Sequence, residues 1–180
     1  MKYLKLLFIP LVIIVAIVFA CEPDDICPES TPTTPRLIID FYDVNSPENK
    51  KNVFDIVVVG VGNESILEGY SFQDTDNVLL PLKTDENTTQ YTLIKEASIN
   101  DNDTPDDPSD DFIEGNADTI TINYSRELVY VSRACGYKTV YKNVTLTIED
   151  DDDNWMKTRQ PMNDNQSVED EFETHFNVTH

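Results

Sequence analysis

Short β-branched runs of alternating apolar and polar residues recur along this chain, and no window carries a helical period of useful length. Leu37, Ile39 and Phe41 share one face of the first run, and Val53 to Val61 is long and apolar enough for a central strand buried on both sides. Val78 to Leu82 is a further run, but Pro81 cannot donate to a ladder, which predicts an edge position. Tyr91 and Leu93 fall together within Gln90 to Lys95. Ile120, Ile122 and Tyr124 then oppose Thr119, Thr121 and Asn123. Ser125-Arg126-Glu127 reads as a hairpin turn leading into Leu128 to Cys135. Tyr137 to Tyr141 and Val144 to Ile148 read as a second pair, and His175 to Val178 as a short closing strand. Seven strands and an eighth at such spacing predict an all-β domain: an antiparallel β-sandwich, immunoglobulin-like or similar.

Two polar stretches interrupt the pattern. Residues 100–117 concentrate aspartates with Pro105 and Pro108, and residues 149–173 begin with Glu149 and four aspartates. Both read as acidic loops, the second anchored by Trp155. The formal net charge is −21. Such a charge repels phosphate backbones and excludes nucleic acid as a partner.

The start of the chain has a different character. Met1 to Lys5 carries two lysines and no acid, Leu6 to Phe19 is almost wholly apolar, and Ala20 precedes Cys21. This is the layout of a cleaved export signal over residues 1–20. The apolar run falls short of the ~20 residues a membrane span needs. Val18-Phe19-Ala20-Cys21 resembles a bacterial lipobox, although Phe19 is bulkier than usual there. Acylation of Cys21 would anchor the chain to a membrane through its N-terminal lipid without spanning it. Residues 21–35 follow as a proline-rich tether, and residues 36–180 as the domain. Losing the leader makes the charge two units more negative, because it removes Lys2 and Lys5.

Cysteine arithmetic agrees. Three cysteines are awkward in an oxidising compartment, but lipidation of Cys21 leaves Cys27 and Cys135 as an even pair. Outside the cytosol such thiols oxidise. A redox role would want a C-x-x-C pair or a neighbouring base, and the sequence has neither.

Several motif tests fail. His175 and His180 are the only histidines, the second expected to be frayed at the end of the chain, so histidine-based catalysis and zinc binding have little to work with. Gly60-Val61-Gly62 lacks the third glycine and the helix of a phosphate loop. Asp101, Asp103 and Asp106, or Asp150 and Asp152, are the candidate calcium ligands. Neither set has EF-hand spacing, since Asp106 and Trp155 occupy the glycine positions. Sequons such as those at Asn63, Asn123 and Asn143 imply no glycan in a bacterial lipoprotein. The reading is a non-enzymatic cell-envelope lipoprotein without cofactor, placed at the outer membrane and presenting a surface to another envelope protein. The alternative is a calcium- or glycan-binding surface module that uses the acidic loops.

Ile26-Cys27-Pro28-Glu29, Thr31-Pro32-Thr33-Thr34-Pro35 with Leu37-Ile38-Ile39, and Tyr130 to Lys138 around Cys135 are distinctive stretches. Together they resemble a family of small uncharacterised lipoproteins of Gram-negative bacteria, a domain of unknown function. The resemblance implies one domain and supports the pairing of Cys27 with Cys135. It implies no activity, ligand or catalytic residue. The long acidic run in the tail departs from the family's pattern.

Overall fold

The computed structural model describes residues 26–31, 33–63 and 65–180. Ten strands follow in chain order, with no helix among the described residues. They are β1 (Leu37–Asp43), β2 (Ser46–Lys50), β3 (Val53–Gly60), β4 (Ile66–Thr75) and β5 (Asn77–Leu80). The second half supplies β6 (Thr88–Asn100), β7 (Phe112–Ser132), β8 (Gly136–Ile148), β9 (Thr158–Pro161) and β10 (Phe176–Thr179). The chain divides into two compact units. The larger comprises Pro32–Leu128 and Thr139–His180; the smaller comprises Val129–Lys138 with Met1–Thr31, of which 26–31 are described.

The larger unit holds both sheets. One runs β4-β3-β6-β7-β8; the other runs β2-β1-β10-β9, with β5 also paired to β1. The all-β expectation holds, with ten strands where seven or eight were expected. The purely antiparallel expectation fails at one place, where β1 pairs β10 in parallel with Ile39 opposite Phe176 and Phe41 opposite Val178. Parallel neighbours need a long connection between them. Here nearly the whole domain lies between the two strands.

Alternation places the core. Leu37, Ile39 and Phe41 of β1 are buried, as are Ile120, Ile122 and Tyr124 of β7, on the faces the sequence indicated. β3 lies between β4 and β6, with Ile56, Val57 and Val58 all buried. β5 pairs only with β1, the edge position that Pro81 requires. Residues from both sheets enter one hydrophobic cluster. Trp155 joins it from the acidic segment, and its indole Nε1 donates to the Leu93 carbonyl at 3.2 Å.

Three features of the strands correct the sequence reading. Ser125-Arg126-Glu127 is not a turn, because β7 runs through it to Ser132. Two of its polar side chains are bonded from within the strand. Ser125 Oγ donates to the Lys142 carbonyl at 3.1 Å, and Arg126 donates to Asn87 Oδ1 and the Thr84 carbonyl. β8 is likewise one strand, with Asn143 at φ 53° absorbing the irregularity between the two runs once read as separate. β7 also begins at Phe112, inside the stretch read as loop. Opposite a register shift at Lys95–Ser98, Gly115 sits at φ +147°. A Cβ there would meet the Lys95 carbonyl oxygen at 2.8 Å, so glycine is required.

The terminal histidine is not frayed. His180 is buried, its N–H donates to the Tyr42 carbonyl, and its ring lies edge-on to Phe41 and Trp155. The parallel pairing with β1 holds the backbone that sequence position alone would have left loose.

Candidate functional site

The described part of the smaller unit is built on two short stretches. β7 leaves its ladder at Ser132, Arg133-Ala134-Cys135 turn, and Gly136 at φ +71° starts β8. A left-handed residue after the turn favours glycine. Ser132 Oγ accepts the Cys135 N–H at 3.0 Å, which closes the turn locally. Cys135 is disulfide-bonded to Cys27, with their Cα atoms 4.8 Å apart. The Thr31 N–H donates to the Pro28 carbonyl at 3.0 Å and bends the incoming strand of chain beside them. A cleft of about 520 Å³ lies between the two stretches, lined by Ile26, Pro28, Thr31, Tyr130 and the turn. Tyr130 and Tyr137 flank the turn as an edge-to-face pair with ring centroids 5.4 Å apart. They are 58% and 66% exposed, and Ile26 is 79% exposed. Three large apolar side chains in water on so small an element are its most unusual feature.

In the larger unit three tyrosine hydroxyls hold backbone. Tyr91, Tyr141 and Tyr124 donate in turn to the carbonyls of Pro81, Leu82 and Lys83, at 2.6, 2.8 and 3.0 Å. Thr89 Oγ1 shares a 2.6 Å hydrogen bond with the Tyr124 hydroxyl and accepts the Lys83 N–H. This ladder of hydroxyls fixes the segment that follows β5, which has no ladder of its own. Burial pushes the Tyr91 and Tyr141 phenols up to about 12, so both keep their protons at neutral pH. A neighbouring cleft of about 380 Å³, lined by Val61, Ile66, Pro81 and Tyr91 among others, adds Glu68 and Lys83 as its charged groups among the described residues.

Asp118 is fully buried on the apolar face of β7. Its Oδ1 accepts the Trp155 N–H at 3.1 Å and its Oδ2 the Met156 N–H at 2.8 Å. Burial raises its carboxyl above the ordinary range, and the two N–H donors oppose that shift. An acid in register with Ile120 and Ile122 is the sequence signal for this clamp. At the head of a strand it reads instead as a solvated end.

His175 is buried, and its Nδ1 accepts the Ile38 N–H at 2.9 Å. Burial lowers its pKa, opposed by Asp170, Glu171 and Glu173. A depressed histidine contributes stability above its unfolded value of about 6.5, and that contribution is lost as the pH falls through the folded value. His175→Gln should therefore melt below wild type at pH 7.5 by roughly 1 kcal/mol, with the gap closing toward pH 5. Thermal melts at several pH values check this; a gap independent of pH would contradict it.

The candidate calcium ligands lie apart from these features. Asp101, Asp103, Asp106, Asp150 and Asp152 are all exposed. Asp101 Oδ1 accepts the Asp103 N–H and Asp150 Oδ1 the Asp152 N–H, both bonds within their own loops. Asp107 and Asp110 are held below the ordinary carboxylate range, chiefly by side-chain bonds from Ser109 and Asn102. Among the described residues no three His, Cys, Asp or Glu side chains converge as metal ligands would. Cys21 lies outside the described residues.

No curated protein and no solved structure is significantly similar to this chain. A family model does match over residues 55–180, which takes in every strand from β4 to β10 together with Asp118 and the disulfide-linked turn. On that match, the chain belongs to the family of unknown function DUF6452.

Proposed function

We propose that this chain is a lipid-anchored, non-enzymatic module of the Gram-negative cell envelope, fastened at Cys21 to the outer membrane and presenting its folded domain to another envelope protein. The observation that carries the reading is the Cys27–Cys135 disulfide. A stable structural disulfide belongs to an oxidising compartment. It also consumes two of three cysteines and leaves the one that directly follows an export-type leader. The two sheets are read as the layers of a sandwich around the shared core, a scaffold in which the Tyr141 hydroxyl and the Asp118 carboxylate serve the backbone.

Metabolic labelling with palmitate tests the anchor. Wild-type protein in its native host should take up label, and Cys21→Ala should take up none. Label retained by Cys21→Ala, or absent from wild type, would overturn the reading.

A further inference from the structure

Resting on the lipid-anchor reading, we propose that the tip of the β7–β8 hairpin, Val129–Lys138, is a membrane-contact element that lies against the phospholipid surface. Reach is the first argument. Cys21 and Cys27 are six residues apart, so an extended chain separates them by at most about 20 Å. Cys27 is bonded to Cys135 in the turn itself, with 4.8 Å between Cα atoms. An acyl group on Cys21 therefore keeps this tip within about 20 Å of the membrane.

Charge is the second argument. Val129–Lys138 contains Arg133 and Lys138 and no acid, in a chain with 34 acids and a net charge of −21. A cation close to an anionic surface gains about 1 kcal/mol, whereas an acid-rich surface is repelled. The sequence between Cys21 and Cys27 carries Glu22, Asp24 and Asp25, and Glu29 lies in the same unit. Arg133 and Lys138 offset two of these four acids, and within Val129–Lys138 itself no acid opposes the approach. The third argument is chemical. Tyr130, Tyr137 and Ile26 are the exposed large apolar groups among the described residues of this unit. Tyrosine suits the headgroup boundary, with its ring toward the acyl chains and its hydroxyl toward water.

Tyr137→Trp provides the probe, because the native Trp155 is buried in the core and serves as an internal reference. The acylated chain is placed in phosphatidylethanolamine–phosphatidylglycerol vesicles with brominated acyl chains, and intact mass verifies the acyl group. The added emission of Tyr137→Trp should fall roughly twofold relative to vesicles without bromine, as for an interfacial indole. The parent's Trp155 emission should stay unchanged. Arg133→Glu with Lys138→Glu should abolish the quenching while the lipid keeps the protein on the vesicle. Should Tyr137→Trp fail to fold, Tyr130→Trp reports on the same tip. An acylated, vesicle-bound chain whose new tryptophan is quenched no more than Trp155 overturns the contact alone. A mature chain without acyl at Cys21 overturns the anchor reading, and the contact with it.

Discussion

Replacing Cys27 and Cys135 together by alanine is expected to lower the free energy of unfolding by about 4–5 kcal/mol, the chain-entropy value for a loop of this length. The two cysteines are 108 residues apart in sequence, so the bond denies the unfolded chain most of its large-scale freedom. Urea unfolding of oxidised wild type and the double variant measures the difference. The denaturant slope should also rise in the variant, because an unlinked unfolded chain exposes more surface. A loss below about 1 kcal/mol would mean that the link constrains little, contrary to the entropic argument.

Asp118→Ala is expected to cost about 3 kcal/mol, the second largest effect. The substitution leaves the Trp155 and Met156 N–H groups buried without their acceptor, at roughly 1–3 kcal/mol each. Part of that cost is offset because a desolvated carboxylate is removed at the same time. Asp118→Asn keeps one carbonyl acceptor but turns an amide toward the other donor, so a smaller loss is expected. The pH dependence carries a distinct sign. A carboxyl raised in the fold contributes stability that is fully present below its unfolded value of about 3.9 and is lost as pH rises through the folded value. The gap between wild type and Asp118→Asn should therefore widen as the pH is lowered from 7 toward 4. A gap that narrows would show that the ionised form is the one the fold prefers.

What the sequence revealed of this fold follows burial. β1, β3, β5, β6, the middle of β7 and β10 each bury apolar residues, and their alternation made them legible. β2 and β9 are almost wholly exposed, and β4 buries little. They are strands because a neighbour offers them a ladder, and a sequence pattern does not record that. The parallel pairing of β1 with β10 joins residues more than a hundred apart and left no local trace. The hairpin turn was placed at Ser125–Glu127 because polar residues usually mark turns, yet side-chain bonds let the strand pass through them. Its true position carries Gly136 and one cysteine of the disulfide.

The candidate site divides in the same way. The Cys27–Cys135 pair was legible once the lipobox set Cys21 aside from the three cysteines. The exposed Tyr130 and Tyr137 were not, since strand tyrosines ordinarily read as core. Asp118 and the three tyrosine hydroxyls were hidden for a related reason. Their partners are backbone groups of distant segments, which only the folded chain brings within 3.1 Å.

Mass spectrometry of the protein taken from its native host reads the central claim most directly. The N-terminal peptide should begin at residue 21 and carry the mass of its fatty acids, and a non-reducing digest should join the peptides of Cys27 and Cys135. A mature chain that keeps residues 1–20, or one in which those two thiols take up alkylating reagent before reduction, would contradict the account.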